Sequence, residues 1–258
     1  MMDFFWLLVN AVQWTFAGVW SVFWISCALI SSAVARSRRP GLFLARWAWG
    51  PGLLRAAGGR LEVAGLENVD RSRPFFFAAN HQSLLDIPVL FAALPVPVLF
   101  VAKRELGRVP FLGWFMKAMG MVLITRDDRK EAVRSVEAAA ERLRQGWSLL
   151  SFPEGTRTRD GRVQRFKTAT FAAAIAAGAP VVPIALEGTG RSLPRDTLRT
   201  RPGRIHVVVG EPIPTAGLSR DDRAALARRT QERVESLLAG LREETEAEPV
   251  PTGPVLSS

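Results

Sequence analysis

The feature that most constrains this chain is an uncharged stretch near its N-terminus. Residues 4–35 form 32 consecutive residues without Asp, Glu, Lys or Arg, whereas about 20 apolar residues suffice to cross the hydrocarbon core of a bilayer. The stretch holds Trp6, Trp14, Trp20 and Trp24, and tryptophan rings favour the boundary between lipid and water. It therefore predicts an N-terminal membrane-embedded helical segment.

Two other interpretations of this stretch deserve comparison. A secretory signal peptide is disfavoured, because the chain starts without basic residues and the apolar stretch is longer than a usual signal core. A bent hairpin that enters one leaflet and returns is left open by Asn10, Gln13 and Gly18. Three arginines within residues 36–39 follow the stretch, and the positive-inside rule places them in the cytoplasm. We therefore expect a protein of the cell inner membrane or cytoplasmic membrane, with its catalytic domain on the cytoplasmic face.

Residues 41–60 mix large apolar side chains with Arg46 and Arg55 around the pair Pro51 and Gly52. This composition favours a segment that lies along the membrane surface. A half-buried helix of the soluble domain is the alternative. Together with the uncharged stretch, the segment makes up a predicted region of membrane-embedded and interfacial helices over residues 1–60.

Residues 61–242 alternate short strand-like runs with helical stretches, which predicts an α/β domain with a mostly parallel central sheet flanked by helices. The predicted strands are 61–65, 74–80, 98–103, 121–125, 148–153, 181–186 and 204–210. The predicted helices are 84–94, 111–119, 129–145 and 168–177, followed by a last helix with Ser219 as its N-cap. Residues 243–258 are acidic and contain prolines, so we expect a disordered tail.

The chain is strongly basic, with a formal net charge of +10. Such an excess implies a negatively charged partner, which could be nucleic acid, anionic lipid or a phosphorylated substrate. Charge alone does not choose among them. The single cysteine, Cys27, excludes an internal disulfide and lies in the apolar stretch without metal-ligating neighbours, so we interpret it as a small hydrophobic residue.

One of only two histidines lies in the stretch NHQSLLDIP, which follows an apolar strand. His81 would sit in the turn where that strand ends and the next helix begins, a usual position for ligand sites in open α/β sheets. With Ser83 as N-cap, Asp86 falls in the first helical turn and can reach back to the imidazole. Asp86 would then hold the Nδ1 proton and leave Nε2 free to accept another. The alternative makes Asp86 a capping residue and His81 an incidental turn residue.

A second polar cluster, SFPEGTRTRDG over residues 151–161, also follows an apolar strand. Gly155 permits a positive φ or a close approach of substrate, and Arg157 presents a fork suited to phosphate oxygens. With Glu154 and Thr156 beside them, these residues predict an anion-binding turn. A solvated turn is the alternative.

Three further cations, Lys103, Arg126 and Lys167, lie at the ends of predicted elements. Each taken alone is more readily interpreted as a surface charge than as a ligand. The stretch GTGRSL at residues 188–193 lacks the third glycine of a dinucleotide loop. The chain contains no phosphate-loop, GxSxG or HExxH motif, so nucleotide hydrolysis, serine-esterase chemistry and zinc hydrolysis lose their usual support.

Four ordered blocks make the chain resemble the 1-acyl-glycerol-3-phosphate acyltransferases, also called lysophosphatidic acid acyltransferases. The matching blocks are NHxxxxD at Asn80–Asp86, the KREL run at Lys103–Leu106 with the arginine of GMVLITR at Arg126, FPEGTR at Phe152–Arg157, and the strand proline at Pro183. They span roughly residues 61–210, and the four in order are far more specific than any one. The sequence FKTAT departs from the family, which often has a glycine after the phenylalanine and lysine, so the contribution of Lys167 is the least supported.

The resemblance implies that His81 removes the proton from the free hydroxyl of a lysophospholipid while Asp86 orients this base. The oxygen would attack the thioester of acyl-CoA or acyl-carrier protein directly, and no metal or cofactor is implied. Arg126, Glu154, Gly155, Thr156 and Arg157 resemble the acceptor-binding residues, with the two arginines suited to the phosphate. Glu154 is expected to organise arginines or glycerol hydroxyls.

Further expectations concern the oxyanion and the partners. Lys103 and the Gly155 N–H are expected to stabilise the developing oxyanion. The expected partners are lysophosphatidic acid, the acyl donor and the bilayer, and nucleic acid is not expected. Two alternatives remain: an acyltransferase for another lyso-lipid, such as lyso-ornithine lipid, and a non-enzymatic protein that binds anionic lipid.

Overall fold

The computed structural model describes residues 2–125 and 129–247, and within them the predicted α/β architecture is confirmed. The strands are β1 Gly59–Ala64, β2 Phe76–Ala79, β3 Val98–Lys103, β4 Val122–Ile124, β5 Ser148–Ser151, β6 Val181–Glu187 and β7 Gly203–Val209. The helices are α1 Met2–Val34, α2 Arg39–Leu44, α3 Gly50–Ala56, α4 Asp86–Ala93, α5 Leu112–Met119, α6 Arg129–Arg144, α7 Phe171–Ala177, α8 Thr189–Ser192 and α9 Arg223–Ala247.

The seven strands form one sheet in the order β1-β7-β6-β2-β5-β3-β4. Every neighbouring pair is parallel except β6 and β7, which are antiparallel. The central strands β2 and β5 are buried along their whole length, as expected for parallel strands covered on both faces. Because β2, β5 and β3 run the same way, the turns that follow them meet at one edge of the sheet.

The uncharged stretch forms one continuous helix, α1, of 33 residues, about 50 Å long. It is the one helix of the described residues that is long and apolar enough to cross a membrane. The hairpin interpretation is wrong, because the polar residues bond to the rest of the protein and leave the helix unbroken. Gln13 Nε2 donates to Ala56 O at 2.9 Å, and Asn10 Oδ1 accepts the Thr200 N–H at 2.7 Å.

The Asn10 contact should contribute measurably to stability. Asn10 is buried, so Asn10→Ala would leave the Thr200 N–H without its acceptor, at a cost of about 1–3 kcal/mol. We expect thermal unfolding of the full chain in detergent to shift to a lower temperature. Ser26→Ala is a suitable control, since its hydroxyl bonds only within α1 and its loss should leave the unfolding temperature nearly unchanged.

The segment predicted to lie on the membrane surface is half-buried against the α/β domain, and its contact with a membrane stays a prediction. It forms α2, a π-helical turn over Ala45–Trp49, and α3 in direct succession. Leu42 and Leu54 are buried in the same core as the sheet, whereas Phe43 and Trp47 are exposed. Pro51 does not interrupt the segment, because the π turn before it absorbs the loss of a regular helical hydrogen bond.

The last helix begins as predicted and extends further than predicted. Ser219 forms a capping box with Asp222 before α9. The helix continues to Ala247, so the first five residues of the predicted disordered tail, 243–247, are helical. Residues 243–247 contain no proline or glycine and consist of good or acceptable helix formers. The rest of the predicted tail, residues 248–258, lies outside the described residues.

Candidate active site

The turn after β2 is fixed by a buried asparagine. The Asn80 Nδ2 donates to Leu186 O at 2.9 Å, and its Oδ1 accepts the Leu186 N–H at 2.7 Å. These two bonds tie the carboxyl end of β2 to that of β6. The backbone that carries His81 therefore leaves the sheet from a rigid position.

His81 and Asp86 are in direct contact, as the sequence suggested. The distance from His81 Nδ1 to Asp86 Oδ2 is 2.7 Å. The same oxygen accepts the backbone N–H groups of Gln82 and Ser83, at 2.7 and 2.9 Å. Asp86 is fully buried, and 15% of the His81 side chain is exposed. The carboxylate fixes Nδ1 as the protonated nitrogen and leaves Nε2 as a proton acceptor.

The predicted cap of the following helix is wrong, although the contact it was meant to explain is present. Helix α4 begins at Asp86 itself, with Leu85 in the N-cap position. The Ser83 hydroxyl accepts the Leu85 N–H at 3.1 Å, before the helix begins, and donates to Leu193 O at 2.7 Å. The loop therefore curls around the carboxylate, and the donors that Asp86 satisfies belong to the loop before the helix.

The imidazole is also held from one side by an aromatic ring. Phe152, the first residue of FPEGTR, stacks on His81 with ring centroids 4.0 Å apart and an interplanar angle of 14°. No sequence signal marks this phenylalanine for such a role. With Asp86 at Nδ1 and Phe152 on its face, the ring has little rotational freedom.

Glu154 joins the two loops through their backbones. Its Oε1 accepts the His81 N–H at 2.8 Å, and its Oε2 accepts the Gln164 N–H at 3.1 Å. Glu154 is buried, and no arginine of the described residues lies at ion-pair distance from it. An ion pair between Glu154 and an arginine is thus not seen among the described residues, and its role towards glycerol hydroxyls stays a prediction. It holds the histidine turn against the FPEGTR turn.

The electrostatic state of Glu154 follows from this position. Burial raises its pKa to about 7, against an ordinary value of 4.5. The two N–H donors lower the pKa, and the nearby carboxylates of Asp86 and Asp160 raise it further. Burial is the largest of these effects, so Glu154 exchanges its proton near neutral pH.

Gly155 has the positive φ, +74°, that its residue type permits. Its N–H donates to Phe152 O at 2.9 Å and closes the turn. The N–H is thus engaged within the turn, and its role towards an oxyanion stays a prediction. A further link between the loops comes from the Thr158 N–H, which donates to His81 O at 2.8 Å.

His81 lines a cavity of about 720 Å³ whose walls are mainly apolar. One wall consists of Trp24, Ile25 and Ala28 of α1, and others come from α5 and α6. The volume is in the range of pockets that enclose small organic ligands. The arrangement joins a proton acceptor to an apolar chamber that faces the membrane-type helix.

Most of the predicted site residues line this cavity. They are His81, Lys103, Gly155, Thr156, Arg157 and Lys167. Asp86 and Glu154 lie behind the lining and contact residue 81. Arg126 lies outside the described residues. Within the described residues, no group of three or more His, Cys, Asp or Glu side chains is arranged to hold a metal ion.

Sequence reasoning missed Arg195. Its Nη1 donates to Arg157 O, and its own carbonyl accepts from Arg157 Nη1 at 3.3 Å. Arg195 also lines both the main cavity and a neighbouring one of about 450 Å³. No motif or spacing marks this residue, because it lies 38 positions from Arg157 in a loop that only the fold brings close.

Comparisons with known proteins bear on this geometry. Residues 60–187 match the family model described as Acyltransferase. The chain is similar to "1-acyl-sn-glycerol-3-phosphate acyltransferase LPAT1, chloroplastic" of Arabidopsis thaliana, with 37% identity over 60% of this chain and 44% of that protein. It is 33% identical to the "Lyso-ornithine lipid O-acyltransferase" of Pseudomonas aeruginosa over 65% of this chain and 69% of that protein.

A solved structure resembles the chain over nearly its full length. It is the crystal structure of the 1-acyl-sn-glycerophosphate (LPA) acyltransferase PlsC of Thermotoga maritima, with 29% identity and a TM-score of 0.82. The alignment covers 97% of this chain and all of that chain. The similarity therefore includes α1 as well as the sheet, whereas the chain spans less than half the length of the plant protein.

Proposed function

The chain belongs to the acyltransferase family, and on this premise we propose that it transfers an acyl chain to the free sn-2 hydroxyl of 1-acyl-glycerol-3-phosphate, giving phosphatidic acid. The acyl donor in this proposal is the thioester of acyl-CoA or acyl-carrier protein. The observation that carries the proposal is the His81–Asp86 contact at an apolar cavity. A proton acceptor beside an apolar chamber suits a reaction between an alcohol and a fatty thioester.

The proposed chemistry is one direct transfer. His81 Nε2 accepts the proton of the sn-2 hydroxyl while that oxygen attacks the thioester carbon. The new C–O bond forms, the C–S bond breaks, and the thiolate leaves and takes up the proton from the imidazolium. Asp86 keeps the imidazole in the required tautomer and stabilises its charged form. The residues present require no metal or cofactor for these steps.

The acceptor phosphate is assigned to Arg157, whose guanidinium can bind phosphate oxygens in a two-pronged manner. Arg157 lines the cavity and exchanges hydrogen bonds with Arg195 through their backbone carbonyls. Lys103, Thr156, Lys167 and Arg126 are proposed as further substrate-binding residues. Lys103 remains the proposed donor to the oxyanion.

A second candidate function has support from one comparison. The similarity to a lyso-ornithine lipid O-acyltransferase covers 69% of that protein. Its acceptor differs from lysophosphatidic acid in lacking a phosphate, so the two functions separate on the role of Arg157.

Arg157→Gln should weaken the use of the phosphate-bearing acceptor. Because a hydrogen bond to a charged group is worth about 1.5–3 kcal/mol, we expect kcat/KM for 1-acyl-glycerol-3-phosphate to fall about 10- to 100-fold. Activity towards lyso-ornithine lipid should hardly change. The assay uses purified protein in detergent. It measures thiol release from acyl-CoA and, in parallel, consumption of the acyl thioester of acyl-carrier protein.

Arg165→Gln is the matched control, because Arg165 is exposed on the same loop and outside the cavity lining. If the wild-type enzyme acylates lyso-ornithine lipid but not 1-acyl-glycerol-3-phosphate, the second candidate function replaces the first. Equal losses in the variant and control would remove the phosphate assignment from Arg157.

Attachment to a membrane is proposed through the exposed face of α1, including Val12, Val19 and Phe23. The lysolipid and product carry chains that reside in lipid, so a cavity walled by α1 can receive them at the bilayer surface. The proposed orientation places the folded part on the cytoplasmic side, where the thioester donors are made.

A further inference from the structure

A second basic site lies at the edge of the sheet and shares Met121, Thr125 and Ser135 with the lining of the main cavity. A groove of about 580 Å³ lies beside the edge strand β4, between α5 and α6. Its lining includes five cations, namely Arg104, Arg108, Lys117, Arg134 and Arg142, and one carboxylate, Glu131. We call these residues the edge groove. Its charge is strongly positive for so small a space.

The carboxylate neutralises only one of these cations directly. Glu131 forms an ion pair with Arg104. Among the described residues, no carboxylate lies within ion-pair distance of Arg108, Lys117 or Arg134. The hydrogen bond from Arg104 and, to a smaller extent, the charge of Arg134 lower the pKa of Glu131. With five cations to one carboxylate, the lining keeps an excess of positive charge.

Arg38, from the turn between α1 and α2, reaches the same place. Its guanidinium lies so close to Gly120 that a Cβ there would be 2.6 Å from Arg38 Cζ. Burial, and then the positive charge of Arg142, lower the pKa of Arg38. Two guanidinium groups that repel each other at a groove end are the arrangement that a bound anion would relieve.

Exposed apolar residues flank the lining residues of the edge groove along the chain. Leu106 and Val109 stand on either side of Gly107 and Arg108, and they are 38% and 43% exposed. Trp114 is 53% exposed. We call these three residues the rim. Trp114 lies one helical turn before Lys117 and packs on Phe111, with ring centroids 5.0 Å apart. Exposed apolar side chains next to cations are typical of a surface that touches lipid headgroups.

The backbone that presents this rim is strained. Phe111 has φ +59° and ψ −60°, and the Leu112 N–H donates to Pro110 O at 2.6 Å. This is a γ-turn with positive φ, which is rare and costly for a bulky residue. Strain of this kind is usually kept where a side chain must be displayed, and here it places Phe111 beneath the exposed Trp114.

We propose that the edge groove binds the phosphate of an anionic phospholipid headgroup, with Leu106, Val109 and Trp114 reaching into the adjoining lipid. Lipid is favoured over an acidic protein because the rim is apolar and continuous with the membrane-type helix. Helix α5 ends at Met119, whose sulfur lies beside Gly41 of α2. The groove thus adjoins the end of α1 from which the arginines of residues 36–39 emerge.

The test uses the full chain in neutral maltoside micelles, titrated with dihexanoyl phosphatidylglycerol, dihexanoyl phosphatidylcholine or inorganic phosphate. Trp fluorescence reports binding, and Trp114→Phe identifies the part of the signal that comes from the groove. We expect saturable binding of phosphatidylglycerol only. The triple variant Arg108→Gln, Lys117→Gln, Arg134→Gln should weaken it by about 100-fold, since each cation near an anionic surface contributes roughly fivefold.

The control variant removes three exposed arginines elsewhere, Arg220, Arg229 and Arg233, each changed to glutamine, so that net charge is matched. Its phosphatidylglycerol binding should equal that of the wild type. Equal weakening in both variants, or equally tight binding of inorganic phosphate, would overturn the proposal. The proposal would also be overturned by a groove variant that keeps its affinity for phosphatidylglycerol but loses affinity for an acidic acyl-carrier protein. Because the readout is binding, it is independent of acyl transfer.

Discussion

His81→Ala should lower the turnover number of acyl transfer by about 10² to 10⁴-fold, the usual contribution of a positioned general base. The alcohol would then have to lose its proton to water while attacking the thioester. KM values should change little, because the side chain contacts the reacting hydroxyl and leaves the rest of the substrate alone. The measurement is steady-state thiol release by purified protein in detergent, together with a thermal unfolding curve.

The chain supplies a matched control in its only other histidine. His206 lies in β7 at 3.4 Å from Glu62 of the neighbouring strand, and it does not line the cavity. His206→Gln should therefore keep the turnover number within about twofold of the wild type. Undiminished transfer by a folded His81→Ala protein would end the assignment of His81 as base.

Glu154→Gln is expected to change how stability depends on pH. Between its ordinary pKa of 4.5 and its folded pKa of about 7, the folded protein holds a proton that the unfolded chain has released. The free energy of unfolding should then fall as pH rises through this window, by about 3 kcal/mol from this group. The glutamine variant cannot titrate, so this part of the decline should disappear.

The readout is the difference in free energy of unfolding between wild type and variant at pH 4.5, 6 and 7.5, since other groups titrate in both proteins. Glu67→Gln, at an exposed position, should reproduce the wild-type slope. The variant should also lose activity, because an amide cannot accept both N–H groups that Glu154 now accepts. A slope unchanged by Glu154→Gln would mean that the buried carboxyl does not change its charge in this range.

Much of the fold could be predicted from the sequence because its signals are local. Seven apolar runs bounded by turn residues became the seven strands, and Ser219 with two acidic residues marked the start of α9. The contact between His81 and Asp86 was also predictable, because only a loop conformation before the helix lets side chains five positions apart meet. The details of that loop were not predictable, since the Ser83 hydroxyl donates to a carbonyl 110 positions along the chain.

The contacts that could not be predicted join groups that are distant in sequence. A buried carboxylate that accepts the N–H of residue 81, as Glu154 does, cannot be recognised from its neighbours. The use of the Gly155 N–H in closing a turn depends on the loop conformation. Arg195 was overlooked for the same reason, and a bend of α1 at Asn10 was left open because its partner, Thr200, comes 190 positions later.

The position of α1 limits how a water-soluble version of this enzyme can be made. Truncation before residue 36 would remove Trp24, Ile25 and Ala28, open the chamber to solvent, and release the loop held at Thr200. Such a product would be a damaged enzyme. Engineering should instead keep the helix and replace its outward side chains, such as Val12, Val19 and Phe23, with polar ones.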